Sequence, residues 1–179
     1  IMAVSIYGNP CDFDMLLDIC RKYNLILIED SCESMGAMYR GKYIGSFGVA
    51  SSFSFYYSHH ITTLEGGICI TNDPEINDLM RIIRAHGWIR QIDDKEKYTK
   101  LYPEFDSKFL FVNEGYNLRI TEPQAAMGLI QVKKLLKFID LRQKNAEFLF
   151  NALSKYEKYF SFQKETDNGK HSWFGFIIM

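Results

Sequence analysis

The first thirty residues, "IMAVSIYGNPCDFDMLLDICRKYNLILIED" (1–30), decide the fold. "IMAVSIYG" is apolar and closed by Gly8, the pattern of a buried strand. In "CDFDMLLDICRKYN" the apolar residues Phe13, Leu16, Leu17 and Cys20 recur at helical spacing. Asp12 stands where an N-cap belongs, and Asn24 marks the stop. "LILIED" follows as a second strand, four apolar residues and then two carboxylates at its C-terminal end. Strand, helix and strand at this length make a βαβ unit, which implies a parallel sheet.

The pattern continues outward. "GKYIGSFG" is turn-rich, and "ASSFSFYY" and "GICITND" read as further strands. Asn72-Asp73-Pro74 opens a helix, with Pro74 near its first position, that runs to about Ala85 and stops at Gly87. Residues 89–112 read as a long excursion, a feature that is often functional. "TEPQAAMGLIQVKKLLKFIDLRQKNAEFLFNALSKY" is strongly helical from Thr121 and Pro123. It is too long for one ordinary helix, and a bend is expected near Phe138. "YFSFQ" and "HSWFGFIIM" return to strand character. The division expected is an α/β part over 1–135 and, over 136–179, a linking helix and the start of a small α+β domain. Both ends lie inside apolar runs, so the chain is expected to be a piece of a longer protein.

Composition bounds the function. The chain has 179 residues, 47% hydrophobic and 24% charged, with formal net charge −1. These are ordinary values for a globular protein, with no basic footprint for nucleic acid. No apolar run is long enough to cross a bilayer. No signal peptide is visible, so the expected compartment is the cytoplasm. Cys11, Cys20, Cys32 and Cys69 include no CxC or CxxC pair, so no metal site is expected.

In an open parallel sheet, ligands bind beyond the C-terminal ends of the strands. One such end carries Glu29 and Asp30, another the segment Ser54–His60. A carboxylate, a hydroxyl and an imidazole would converge there. Either carboxylate also suits a turn cap, and Ser54 an ordinary strand position. Adjacent histidines in extended chain point to opposite faces, which weakens a metal reading of His59-His60.

The succession "LILIEDSCESMGAMYRGKYIGSFG", "SFSFYYSHHITTLEGGICITND", "RAHGW" and "GYNLRITEPQAAMGLIQVKKL" resembles the nucleotide-sugar aminotransferases, pyridoxal-phosphate enzymes of fold type I, over nearly the whole chain. The resemblance implies the large cofactor domain of that fold, a mostly parallel sheet with helices on both faces. It implies that Asp30 pairs with the cofactor's pyridine nitrogen and that Glu33, where the family usually has Gln, lies close to the ring hydroxyl. Ser54 would hydrogen-bond the phosphate, and Asn117 would reach the cofactor of a neighbouring subunit in a homodimer.

One position departs from the family. Its Ser-Phe-x-x-x-Lys supplies the lysine that forms a Schiff base with the cofactor. Here Ser54-Phe55-Tyr56-Tyr57-Ser58 leads to His59, and His60 stands at a usual asparagine. An imidazole cannot form that linkage, so the cofactor would be held noncovalently, most usefully as pyridoxamine phosphate. An imidazole still moves protons near neutral pH. The replacement is similar to that of the sugar 3-dehydratase branch, which removes a hydroxyl from a nucleotide-linked 4-keto-6-deoxyhexose for deoxysugar and lipopolysaccharide synthesis. Glutamate would serve as amino donor. An iron–sulfur-dependent sister type uses closely spaced cysteines, and this chain has no such pair after His59. Two other readings stay open: an ordinary sugar aminotransferase, for which Lys42 is the nearest lysine, and a noncatalytic member kept as a binding subunit.

Overall fold

β1 (Met2–Val4), α1 (Phe13–Tyr23) and β2 (Ile28–Asp30) form the expected βαβ unit, and β1 runs parallel to β2 with Ala3 opposite Glu29. This computed structural model describes residues 1–179. The Asp12 side chain caps α1 by accepting the Met15 N–H at 3.1 Å, and Asn24 ends it in the left-handed region at φ 51°. Only the second half of "LILIED" is strand, because Leu25 N–H still bonds the Cys20 carbonyl and closes the helix.

β5 (Ala50–Ser54) lies parallel to β2 on its other side, and β6 (Gly67–Ile70) pairs antiparallel with β5, giving the order β1-β2-β5-β6. Between β2 and β5 stands the hairpin β3 (Met38–Tyr39) and β4 (Lys42–Tyr43). Its two turn residues, Arg40 and Gly41, both have positive φ, the geometry that matches strand twist in a two-residue hairpin. Ala3, Phe13, Cys20, Leu27, Ala37, Tyr39 and Ile44 make the core under this sheet, and Phe47 stacks on Phe13 with ring centroids 4.3 Å apart.

The long helical run is two helices, α4 (Glu122–Gln131) and α5 (Leu135–Leu153), separated by a 3₁₀ turn at Val132–Lys134. The break falls ahead of the expected position at Phe138. Each half is held by its own contact: Gly128 faces Thr63, and Ile139 fills the space over Gly36. The final strand reading holds in part. Phe162 and Ile178 form an antiparallel bridge, beside which Ser161 and Met179 exchange both backbone hydrogen bonds, at 2.8 and 2.9 Å, while β7 (Gly169–Lys170) pairs with β3. Residues 171–175 run as an irregular strap, because Trp173 adopts φ 51° and breaks the extended chain.

Residues Ile1–Ile70 with Glu122–Met179 form one compact unit and Thr71–Thr121 a second. In the second, Asp73 caps α2 (Pro74–Arg84) through the N–H groups of Glu75 and Ile76. The excursion at 89–112 contains α3 (Glu96–Leu101) and two 3₁₀ turns, and closes over Ile82, Ile89, Ile92 and Leu110. Gly87 must be glycine: it has φ +84°, and a Cβ there would lie 1.7 Å from the Asn113 carbonyl oxygen. No helix is long and apolar enough to cross a membrane.

Candidate active site

Strand alternation separates the two carboxylates of β2. Glu29 points into the core and is fully buried. Its oxygens accept the N–H groups of Gly45 at 2.7 Å, Phe47 at 2.7 Å and Gly48 at 2.6 Å. It is the carboxylate that fastens a turn. Asp30 points to the other face and stays half-buried, with one backbone donor, the Cys32 N–H at 3.1 Å. Its register partner on β5 is Ser52, and Ser54, two residues further, shares that face.

Asp30, Ser52 and Ser54 therefore form a polar row at the C-terminal ends of two parallel strands. The Cys32 thiol lies 3.8 Å from the Ser52 hydroxyl. Burial, then the neighbouring Asp30 carboxylate, pushes it up to about 11, so it keeps its proton. The Ser54 hydroxyl accepts the Tyr56 N–H at 3.1 Å.

The chain then makes a closed loop. Phe55 N–H bonds the Gly66 carbonyl and Thr63 N–H bonds the Phe55 carbonyl, both at 2.9 Å, pinning the base. A turn bond from His59 N–H to the Tyr56 carbonyl at 3.0 Å brings up the histidines. The alternation expected for extended chain does not apply inside this turn: both imidazoles touch the ring of Phe174, at centroid distances of 5.2 Å for His59 and 5.6 Å for His60.

Their burial differs. His60 is only 4% exposed, and its Nε2 lies 3.4 Å from the Ser172 carbonyl. Burial first, and then the Arg142 guanidinium, hold it down to about 4, so it is neutral. His59 is half-buried, and the Nδ1 atoms of both histidines are shielded without a hydrogen-bond partner.

Glu33 accepts the Tyr7 N–H at 2.7 Å. Asn117 belongs to the second unit, where its side-chain oxygen accepts from Arg119 Nε and Nη2, both at 3.4 Å. Lys42 is exposed on β4. No group of three or more His, Cys, Asp or Glu side chains is arranged to hold a metal ion, and all four cysteines are free thiols. A cavity of about 500 Å³ lined by Phe150, Phe160, Phe162 and Trp173 contains none of Asp30, Ser54 or His59. Tyr7 and Phe174, which touch the site residues, carry no local sequence signal: both lie in segments that read as strand.

An open, mostly parallel α/β sheet with a carboxylate and hydroxyls at its strand ends, and an imidazole in the loop that follows β5, has the layout of α/β proteins that bind a ligand beyond their strands. The chain belongs to the DegT/DnrJ/EryC1/StrS aminotransferase family, which it matches over residues 1–179. It is 46% identical over 181 residues to GDP-4-keto-6-deoxy-D-mannose 3-dehydratase of Escherichia coli O55:H7, covering 100% of this chain and 46% of that protein. It is 43% identical over 181 residues to the protein of that name from Yersinia pseudotuberculosis, covering 100% and 45%. The chain thus spans about half the length of the curated relatives it matches. Among solved structures, the E. coli enzyme with bound hydrated pyridoxal phosphate superposes with a TM-score of 0.90 at 44% identity, over 99% of this chain and 46% of that one. A variant of that dehydratase, ColD, in which an adjacent serine and histidine are replaced by asparagine and lysine, matches with the same TM-score of 0.90 and 44% identity, over 99% and 46%.

Proposed function

We propose that the protein is a pyridoxamine- or pyridoxal-phosphate-dependent 3-dehydratase acting on a nucleotide-linked 4-keto-6-deoxyhexose, with a GDP-linked sugar as the first candidate. The observation that carries the reading is His59: a half-buried imidazole beside a buried one, in the loop that follows the polar strand ends. No lysine occurs between Lys42 and Lys95. Ser58-His59 is also the only Ser-His dipeptide in the chain, and a dipeptide of that kind is exchanged in the ColD variant, which supports matching the two.

The donor set fits the cofactor: a carboxylate with free acceptor capacity, a hydroxyl on the same sheet face, and a half-buried imidazole in the loop beyond them. When bound, the cofactor supplies the amine that captures the sugar ketone and the ring that takes up electrons as the 3-hydroxyl leaves. Asp30 keeps the ring nitrogen protonated, since an adjacent carboxylate favours the charged form. Ser54 donates its hydroxyl proton to the phosphate. His59 would serve as base for the C4′ proton and as acid for the departing hydroxyl. Glu33 would face the ring hydroxyl. His60, buried and neutral, takes no part in the proton transfer.

By the same reading the full-length protein is a cytoplasmic homodimer in which Asn117 serves the partner's cofactor, glutamate regenerates the amine, and residues 136–179 lead into a small C-terminal domain. The test is an assay of the full-length protein with glutamate and pyridoxal phosphate on GDP-linked and CDP-linked 4-keto-6-deoxy sugars, followed by mass spectrometry. Loss of the sugar 3-hydroxyl is the result expected. Clean conversion to a 4-amino sugar would establish an aminotransferase instead, and no turnover of either substrate would overturn the reading.

A further inference from the structure

Residues 171–175 cross the candidate site without belonging to a sheet, and their fastenings are unusually complete. On one side α5 grips them: Arg142 Nη1 donates to the carbonyls of Trp173 at 3.0 Å and Phe174 at 2.9 Å, and Gln143 donates to that of His171 at 3.2 Å. A half-buried guanidinium is thus spent on two backbone carbonyls rather than on a carboxylate. On the other side the strap pairs with the turn after β1. Ser172 N–H bonds the Gly8 carbonyl and Phe174 N–H bonds the Tyr7 carbonyl, both at 2.9 Å.

That turn is shaped for the purpose. Tyr7 and Gly8 both have positive φ, 54° and 94°; glycine adopts this freely, but for Tyr7 it is a cost that persists only where the surroundings impose it. A Cβ on Gly8 would sit 2.8 Å from Phe174 N, Trp173 N and the Ser172 hydroxyl, so only glycine lets the strap approach. The strap presents the Phe174 ring to His59 and His60, while the Tyr7 peptide that holds it also donates its N–H to Glu33.

We infer that Phe174 is a positioning residue for His59, and that the strap at 171–175, through Tyr7, sets the orientation of His59 and Glu33 together. The inference rests on the proposed role of His59. The geometry shows why a ring is needed there: the His59 side chain has no hydrogen bond to fix it, so aromatic contact is its restraint. Tyr56 offers a second, more distant ring at 6.1 Å, but Tyr56 is exposed and rides on the same loop, so it cannot anchor the imidazole to the rest of the protein. Phe174 can, because α5 and the Tyr7–Gly8 turn both hold its backbone.

The experiment compares Phe174→Ala, Phe174→Tyr and Gly8→Ala in the full-length protein. The first readout is the rate at which diethyl pyrocarbonate acylates His59 in cofactor-free protein, mapped by peptide mass spectrometry. The second is kcat and KM on the nucleotide sugar. Phe174→Ala should speed acylation of His59 and lower kcat on the order of 10²-fold, the cost of a misplaced catalytic group, with KM little changed. Phe174→Tyr, which keeps the ring, should behave as wild type on both counts. Gly8→Ala, which pushes the strap away without altering the ring, should reproduce Phe174→Ala. Wild-type acylation and turnover in Phe174→Ala, or in a folded Gly8→Ala protein, would overturn the inference, as would failure of Phe174→Tyr to restore them. If the wild-type protein acts on no nucleotide sugar, the functional reading falls, and the acylation rates still decide the positioning claim.

Discussion

Glu29-Asp30 and His59-His60 are both pairs of like residues at or just beyond the ends of neighbouring parallel strands, and in each pair one member is buried and the other half-buried. The means differ. In β2 the split follows from strand parity: Glu29 faces the core and Asp30 the opposite face. Beyond β5 the split is made by a turn and by chain from the far end of the sequence. Both imidazoles lie against Phe174, and only His60 reaches the Ser172 carbonyl. Within a strand, local order assigns the structural and the chemical partner. Within a loop, distant packing does.

The largest effect that breaks or sharpens this contrast is at Glu29. Glu29→Ala strands three backbone donors in a buried place and should cost roughly 3–5 kcal/mol in a urea titration. Asp30→Asn should cost under about 1 kcal/mol, as expected where no buried network is broken, yet remove turnover. Equal destabilisation by the two changes would erase the distinction drawn within β2.

A smaller effect concerns the buried imidazoles. His60 and His171 are both held down to about 4, each chiefly by burial, His60 also by Arg142 and His171 also by His60. Their folded values lie below the unfolded one, so the unfolded chain binds more protons between about pH 4 and 6.5. Stability from these groups is therefore complete above about pH 6.5 and is lost as pH falls toward 4, with a slope of at most about 1.4 kcal/mol per pH unit for each proton taken up. Denaturation midpoints at pH 7.5 and pH 5 check this. His60→Asn should flatten the dependence, and an unchanged slope in that variant would mean that His60 is not the buried neutral group.

The legible parts of the fold were those set by neighbours in sequence. The Asp12 and Asp73 caps and the Asn24 stop rest on contacts within a few residues; the strands of the βαβ unit pair across the helix, but each is marked by its own short pattern, and Gly87 reads as a stop although its close approach is to Asn113, far along the chain. The break between α4 and α5 was read too late, because no glycine or proline marks 132–134 and the two helices are held by Thr63 and Gly36 from elsewhere in the chain. The final segment departs from its strand reading only at 171–175, for the same reason. "HSWFGFIIM" has strand composition, and what bends it is the grip of Arg142 and the Tyr7–Gly8 turn. At the candidate site, residue types and order singled out Asp30, Ser54 and His59. Which of two histidines is buried, and that Phe174 lies against both of them, depended on contacts that no local pattern encodes.

The central claim is that His59 moves the proton while His60 is structural, and turnover of the nucleotide sugar by full-length His59→Asn and His60→Asn proteins tests it most directly. His59→Asn should lose roughly 10²–10⁴-fold in kcat, the usual contribution of a positioned general base, while still binding pyridoxamine phosphate. His60→Asn should keep most of its activity while losing stability. Dehydration that survives in His59→Asn and vanishes in a folded His60→Asn protein would contradict the account.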